Sequence, residues 1–69
     1  MYLIRISDNE PVEVGDKRKT HTGEVVTITG WQEPRHSGST GRVYVKFDDG
    51  EEREFFPGVV NCKFVEQLG

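Results

Sequence analysis

Cys62 carries the chain's one thiol, and His21 and His36 are its two imidazoles. A thiol becomes a nucleophile when a base or cation holds it ionised. Neither histidine neighbours Cys62 in sequence, so Cys62 reads as a buried structural cysteine on a last strand rather than as a nucleophile. One cysteine excludes an internal disulfide, and with two separated histidines it does not make a four-ligand zinc site. Asp48, Asp49, Glu51, Glu52 and Glu54 crowd one segment without the alternating acids and terminal glutamate of a calcium loop. They read as a solvated acidic hairpin, and no metal or cofactor is expected. His36, with Arg35, Ser37 and Ser39, lies in a polar stretch that suits a solvated loop better than an anion pocket.

The side chains best suited to recognition are aromatic. Trp31, Tyr44 and Phe56 are expected to form a contact surface, with Asp49 and Glu54 of the acidic hairpin as its charged contacts, because large exposed aromatics anchor binding sites. Lys17, Arg18 and Lys19 form the one basic run and are the candidates for anion contact. Twelve acids against nine bases give a net charge of −3, without the basic field behind most non-specific nucleic-acid affinity.

Short β-elements must position these groups. Tyr2-Leu3-Ile4-Arg5-Ile6 is a β-rich run closed by turn formers through Pro11, and Val12-Glu13-Val14 alternates before a Gly15-Asp16 turn. Lys17 to Thr20 suits an edge strand, where lysines discourage sheet-to-sheet association. Glu24 to Trp31 holds the densest β-branched run and has no helical stripe, and the polar residues 33–41 follow it as a loop. Arg42 to Phe47 alternates strictly, with Val43, Val45 and Phe47 on one face and Arg42, Tyr44 and Lys46 on the other.

Charge chooses the register of the next hairpin. A two-residue Asp49-Gly50 loop would oppose Lys46 to Arg53 and Val45 to Glu54. A three-residue Asp48-Asp49-Gly50 loop, with Gly50 left-handed in a bulge, opposes Lys46 to Glu52 and Val43 to Phe55. The second register is predicted; it turns Phe55 inward and leaves Phe56 outside with Tyr44. Pro57 to Asn61 suits a single 3₁₀ turn, and Cys62 to Val65 a last strand. At 69 residues the chain has room for one domain, with its core over about residues 12–66.

Val14-Gly15-Asp16, Val43-x-Val45-x-Phe47, Asp48-Asp49-Gly50, Phe55-x-Pro57 and Phe64-Val65 together resemble the SH3-like small β-barrel superfamily. That resemblance implies an all-β, single five-stranded barrel with a short 3₁₀ turn before the last strand. Within it, Gly15-Asp16 with Gly23, Ile28-Thr29-Gly30-Trp31 and Pro57 resemble the plasmid-type (type II) dihydrofolate reductases, which form a tetramer around a central pore. Where that family lines its pore with Val-Gln-Ile-Tyr, this chain has Arg53-Glu54-Phe55-Phe56, and clustered copies of Glu54 would repel an anionic folate. Phe47-Asp48-Asp49-Gly50 is similar to Tudor domains, whose aromatic cages hold methylated cations, although Glu51 stands where some members place a cage aromatic. The Gly-Asp start and the Val-x-Val-x-Phe strand are similar to KOW-type and accessory-subunit barrels, with Arg18 where an inward apolar residue is usual.

The expected function is therefore a non-catalytic binding or docking module, using its aromatic surface on a protein partner or on itself. The alternatives are an oligomeric reductase of the type II kind and a weak nucleic-acid-binding module. No leader or membrane span is expected, and the expected location is cytoplasmic.

Overall fold

A computed structural model of the chain describes residues 1–36 and 38–66. The protein is all-β. Among the described residues six strands, not the five expected, are β1 (Tyr2–Arg5), β2 (Lys17–Lys19), β3 (Val25–Gln32), β4 (Arg42–Phe47), β5 (Glu52–Phe55) and β6 (Cys62–Val65), joined by loops and a 3₁₀ turn at Pro57–Val60. They form two antiparallel sheets, β1-β6 and β2-β3-β4-β5, which strand pairing does not close into a barrel. Among the described residues no helix is long and apolar enough to cross a membrane.

The core follows the pleat. Val26 and Ile28 of β3 and Val43 and Val45 of β4 are each at most 1 % exposed, and Leu3 and Cys62 from the other sheet, Val12 from the loop after β1 and Val60 from the 3₁₀ turn close over them. The buried set begins at Leu3 because β1 pairs with β6 along its whole length, Tyr2 opposite Val65 and Arg5 opposite Cys62. The first strand is thus an integral part of the fold, ahead of the core expected from residue 12. Val12-Glu13-Val14, by contrast, forms no strand: Pro11 makes a single bridge to Ile4, Val12 N–H donates to Leu3 O, and Val14 is exposed.

The β4–β5 hairpin has the register that charge predicts. Lys46 opposes Glu52 and Val43 opposes Phe55. Gly50 takes φ +90° and donates its N–H to Phe47 O at 2.9 Å, the geometry of a three-residue loop with a bulge. Pro57 opens the 3₁₀ turn, and Asn61, in the left-handed region, ends it.

One irregularity decides which residues share a face. Between Ile28 and Gly30 the β3–β4 register shifts by one residue, so Thr29 is extra on β3. A bulge reverses the in-out phase of everything beyond it. Beyond Thr29, Gly30 therefore opposes outward Tyr44, and Trp31 opposes buried Val43.

Candidate functional site

The outward face of β3-β4-β5 is built in rows. Thr27, Lys46 and Glu52 form one row, and Gly30, Tyr44 and Glu54 the next. Glycine inside a strand packs poorly by itself, and an aromatic across the ladder can cover it. A Cβ on Gly30 would stand 3.6 Å from the Tyr44 ring, so the ring lies against this bare stretch of backbone. The Tyr44 hydroxyl is 3.2 Å from the Gln32 amide. Turned to satisfy both its neighbours, that amide donates to Tyr44 Oη and accepts from Arg35 Nε at 2.7 Å.

Phe56 follows β5 and is 55 % exposed. The Arg42 guanidinium lies over it, 4.3 Å from the ring centroid, while Arg42 Nη1 donates to Gly41 O at 2.8 Å and Nε approaches Glu54 at 4.0 Å. The guanidinium thus covers one face of an otherwise exposed ring. Tyr44, Glu54 and Phe56 thus share one surface with Arg42, whose role the sequence reading did not assign. The signal was present, since Arg42 alternates onto Tyr44's side of β4.

Trp31 does not join them. It is half-buried against the core on the Val43 side of the sheet, because the Thr29 bulge reverses its phase. Gly30, a glycine within a β-branched run, is the sequence signal for such a bulge.

Asp49 also lies elsewhere. It borders a hollow of about 300 Å³ between the β2–β3 turn, the acidic hairpin and the 3₁₀ turn, lined among others by Glu24, Phe47, Glu51, Arg53 and Phe55. Phe47 and Phe55 meet edge to face there, with centroids 6.2 Å apart, and the Arg53 guanidinium sits 5.8 Å from the Phe47 centroid while Nε donates to Glu51 at 2.6 Å. Acids around aromatic rings suit a cation, and the chain's own arginine already sits there.

The basic run is divided by the pleat. Lys17 and Lys19 are exposed, and Lys17 Nζ donates to Thr27 Oγ1 at 2.9 Å. Arg18 points the other way, where Nε reaches Val60 O at 3.4 Å at the end of the 3₁₀ turn. An arginine thus occupies the inward position after Gly-Asp by carrying its charge to the Val60 carbonyl. His36 is exposed and accepts from Gly38 N–H at 3.3 Å, and Ser37 lies outside the described residues.

Cys62 is 1 % exposed, and its thiol donates to Val60 O at 3.3 Å. Burial raises its pKa, with Arg18 opposing the shift. A group whose folded pKa is raised lends stability at low pH that is lost as pH climbs through the folded value. Stability is therefore expected to fall above the ordinary thiol range, and Cys62→Ala to flatten that fall; urea unfolding across alkaline pH measures both. An equally steep decline in the variant would assign the effect to other groups.

Among the described residues no three His, Cys, Asp or Glu side chains are placed to share a metal ion. Compared with known proteins, the chain matches no family model, no curated protein and no solved structure.

Proposed function

We propose that this protein is a non-catalytic docking module that engages a protein partner, or a copy of itself, through the outward face of β3–β5, with Phe56 and Tyr44 as its aromatic contacts. Phe56 carries the reading. Trp31, Phe47, Phe55 and Phe64 pack against the core, whereas Phe56 stands out of it and is held by Arg42. A large exposed ring buries much apolar area on binding, and a cation stacked on it reduces the freedom it has to lose. Beside it an open groove of about 860 Å³, lined by Thr29, Tyr44, Glu52 and Glu54 among others, places acids where they would steer a basic surface.

The same reading takes the fold as an SH3-like barrel. The 3₁₀ turn between β5 and β6 supports it, as does the Arg18 to Val60 hydrogen bond, which ties the edge of the larger sheet to the residue before Asn61 and β6.

Phe56→Ala and Tyr44→Ala, each checked for a wild-type circular dichroism spectrum, are expected to weaken retention of a bound protein by about 30-fold together, the effect of losing a central aromatic anchor. Retention indifferent to both substitutions would end this reading.

A further inference from the structure

The docking reading leaves the occupant open, and the edges of the larger sheet supply one. β2 and β5 are its outermost strands. Antiparallel ladders alternate bonded and non-bonded pairs, so a bond at one end determines which residues turn their backbone outward. At the hairpin, Phe47 N–H donates to Glu51 O at 2.8 Å; in step with it Arg53 and Phe55 bond inward to β4. The N–H and C=O of Glu52 and Glu54 therefore face the open edge. At β2, Thr20 N–H donates to Glu24 O and Ile28 N–H to Asp16 O, both at 2.8 Å, so Arg18 bonds inward to Val26. Lys17 and Lys19 turn their backbones outward.

The side chains of these four residues also share a face. Lys17, Thr27, Lys46 and Glu52 lie in one row across the sheet, and Lys19 and Glu54 stand two residues along their strands from its ends. One edge thus presents two lysines and the other two glutamates, at the same spacing and on the same surface. Every neighbouring pair in the sheet is antiparallel, so β5 of one molecule and β2 of a translated copy also run antiparallel, Glu52 facing Lys19 and Glu54 facing Lys17. Space lies open beside both: the 860 Å³ groove includes all of β5, and a hollow of about 410 Å³ runs between β2 and Asn61.

We propose that the occupant is a second copy of this chain: β5 of one molecule adds, head to tail, to β2 of the next, extending the sheet and pairing Glu52 and Glu54 with Lys19 and Lys17. This rests on the docking reading and names its partner. Edge lysines deter pairing with another basic edge, not with an acidic one. Joining β2 to β2 or β5 to β5 opposes like charges, so symmetric dimers are disfavoured. A head-to-tail contact between unlike patches propagates, giving short oligomers whose size grows with concentration and falls with salt.

Charge reversal tests this. The double variants Lys17→Glu/Lys19→Glu and Glu52→Lys/Glu54→Lys carry two like edges each, and sedimentation velocity at low salt is expected to show association at least about tenfold weaker than in the wild type. Mixed in equal amounts they are expected to associate again, since each then meets an opposite edge, and the variant with all four reversals should recover self-association by itself. A wild type that stays monomeric at low salt, or reversed variants that do not recover on mixing, would overturn the proposal. Self-association lost in Phe56→Ala but unchanged by the reversals would sink the edge contact while leaving the aromatic docking reading standing.

Discussion

Gly41→Ala is expected to abolish cooperative folding at room temperature, or to lower the melting temperature by more than about 15 °C. Gly41 is buried and takes φ +71°. A Cβ there would stand 2.6 Å from Gln32 O, 2.7 Å from the Phe64 ring and 3.1 Å from Pro34 Cδ. The first of these is backbone at the end of β3 and cannot turn aside as a side chain can. The second belongs to a ring packed on the core from β6. A left-handed alanine costs about 1–2 kcal/mol before any clash, and overpacking adds about 1–3 kcal/mol. At about 0.05–0.15 kcal/mol per residue, a chain of this size has only about 3–10 kcal/mol in total, so such a loss is a large share of it. Gly50→Ala is the control, with φ +90° and nothing within 4 Å of the added carbon. It should cost only the conformational term of about 1–2 kcal/mol. Thermal unfolding followed by circular dichroism separates the two, and equal losses would show that backbone conformation, not crowding, governs both sites.

Ile28→Ala should be nearly as damaging. Ile28 has no exposed surface, lies opposite Val45 on the central pair of strands, and sits immediately before the bulge. Removing a buried isoleucine side chain costs about 2–5 kcal/mol, the transfer term plus the cavity that neighbours cannot refill. Val25→Ala, on the same strand with a 40 % exposed side chain, should cost well under half as much. Urea midpoints measure the pair. Similar shifts would mean that the buried surface of β3 is not the centre of the core.

Local elements were legible because their causes are local. The alternation of Val43, Val45 and Phe47 requires one buried face, and that face is observed. Opposite charges choose the register of a hairpin whose loop is three residues long, and the observed pairing of Lys46 with Glu52 agrees. Pro57 prevents a strand from continuing and opens a 3₁₀ turn, also as expected. In the candidate site, Tyr44 and Phe56 take the outward side that this register implies.

What went unread depends on residues far apart in sequence. Alternation alone sends Trp31 outward with Val25, Thr27 and Thr29; the bulge at Thr29 turns it inward, and it forms only where β3 meets β4 across a long loop. Arg18 is a charge at an inward position, tolerable because Val60 O ends the 3₁₀ turn within its reach. Gly41 is one of eight glycines, and its crowding has no local sequence signal, because Gln32, Pro34 and Phe64 converge on it only in the folded chain.

Cys62 belongs with the legible part. Residue types and short-range pattern alone imply that this thiol stands alone, that the regular elements of the described residues are mainly strands and that an acidic hairpin ends in an outward phenylalanine. These follow from composition and from periodicity over a few residues. Tertiary structure alone decided which aromatics share a face, which base turns inward and which two edges lie open with opposite charge. The reason is geometric: a strand's pattern specifies that it has two sides, but only its partners, and any residue inserted between them, specify which side is which.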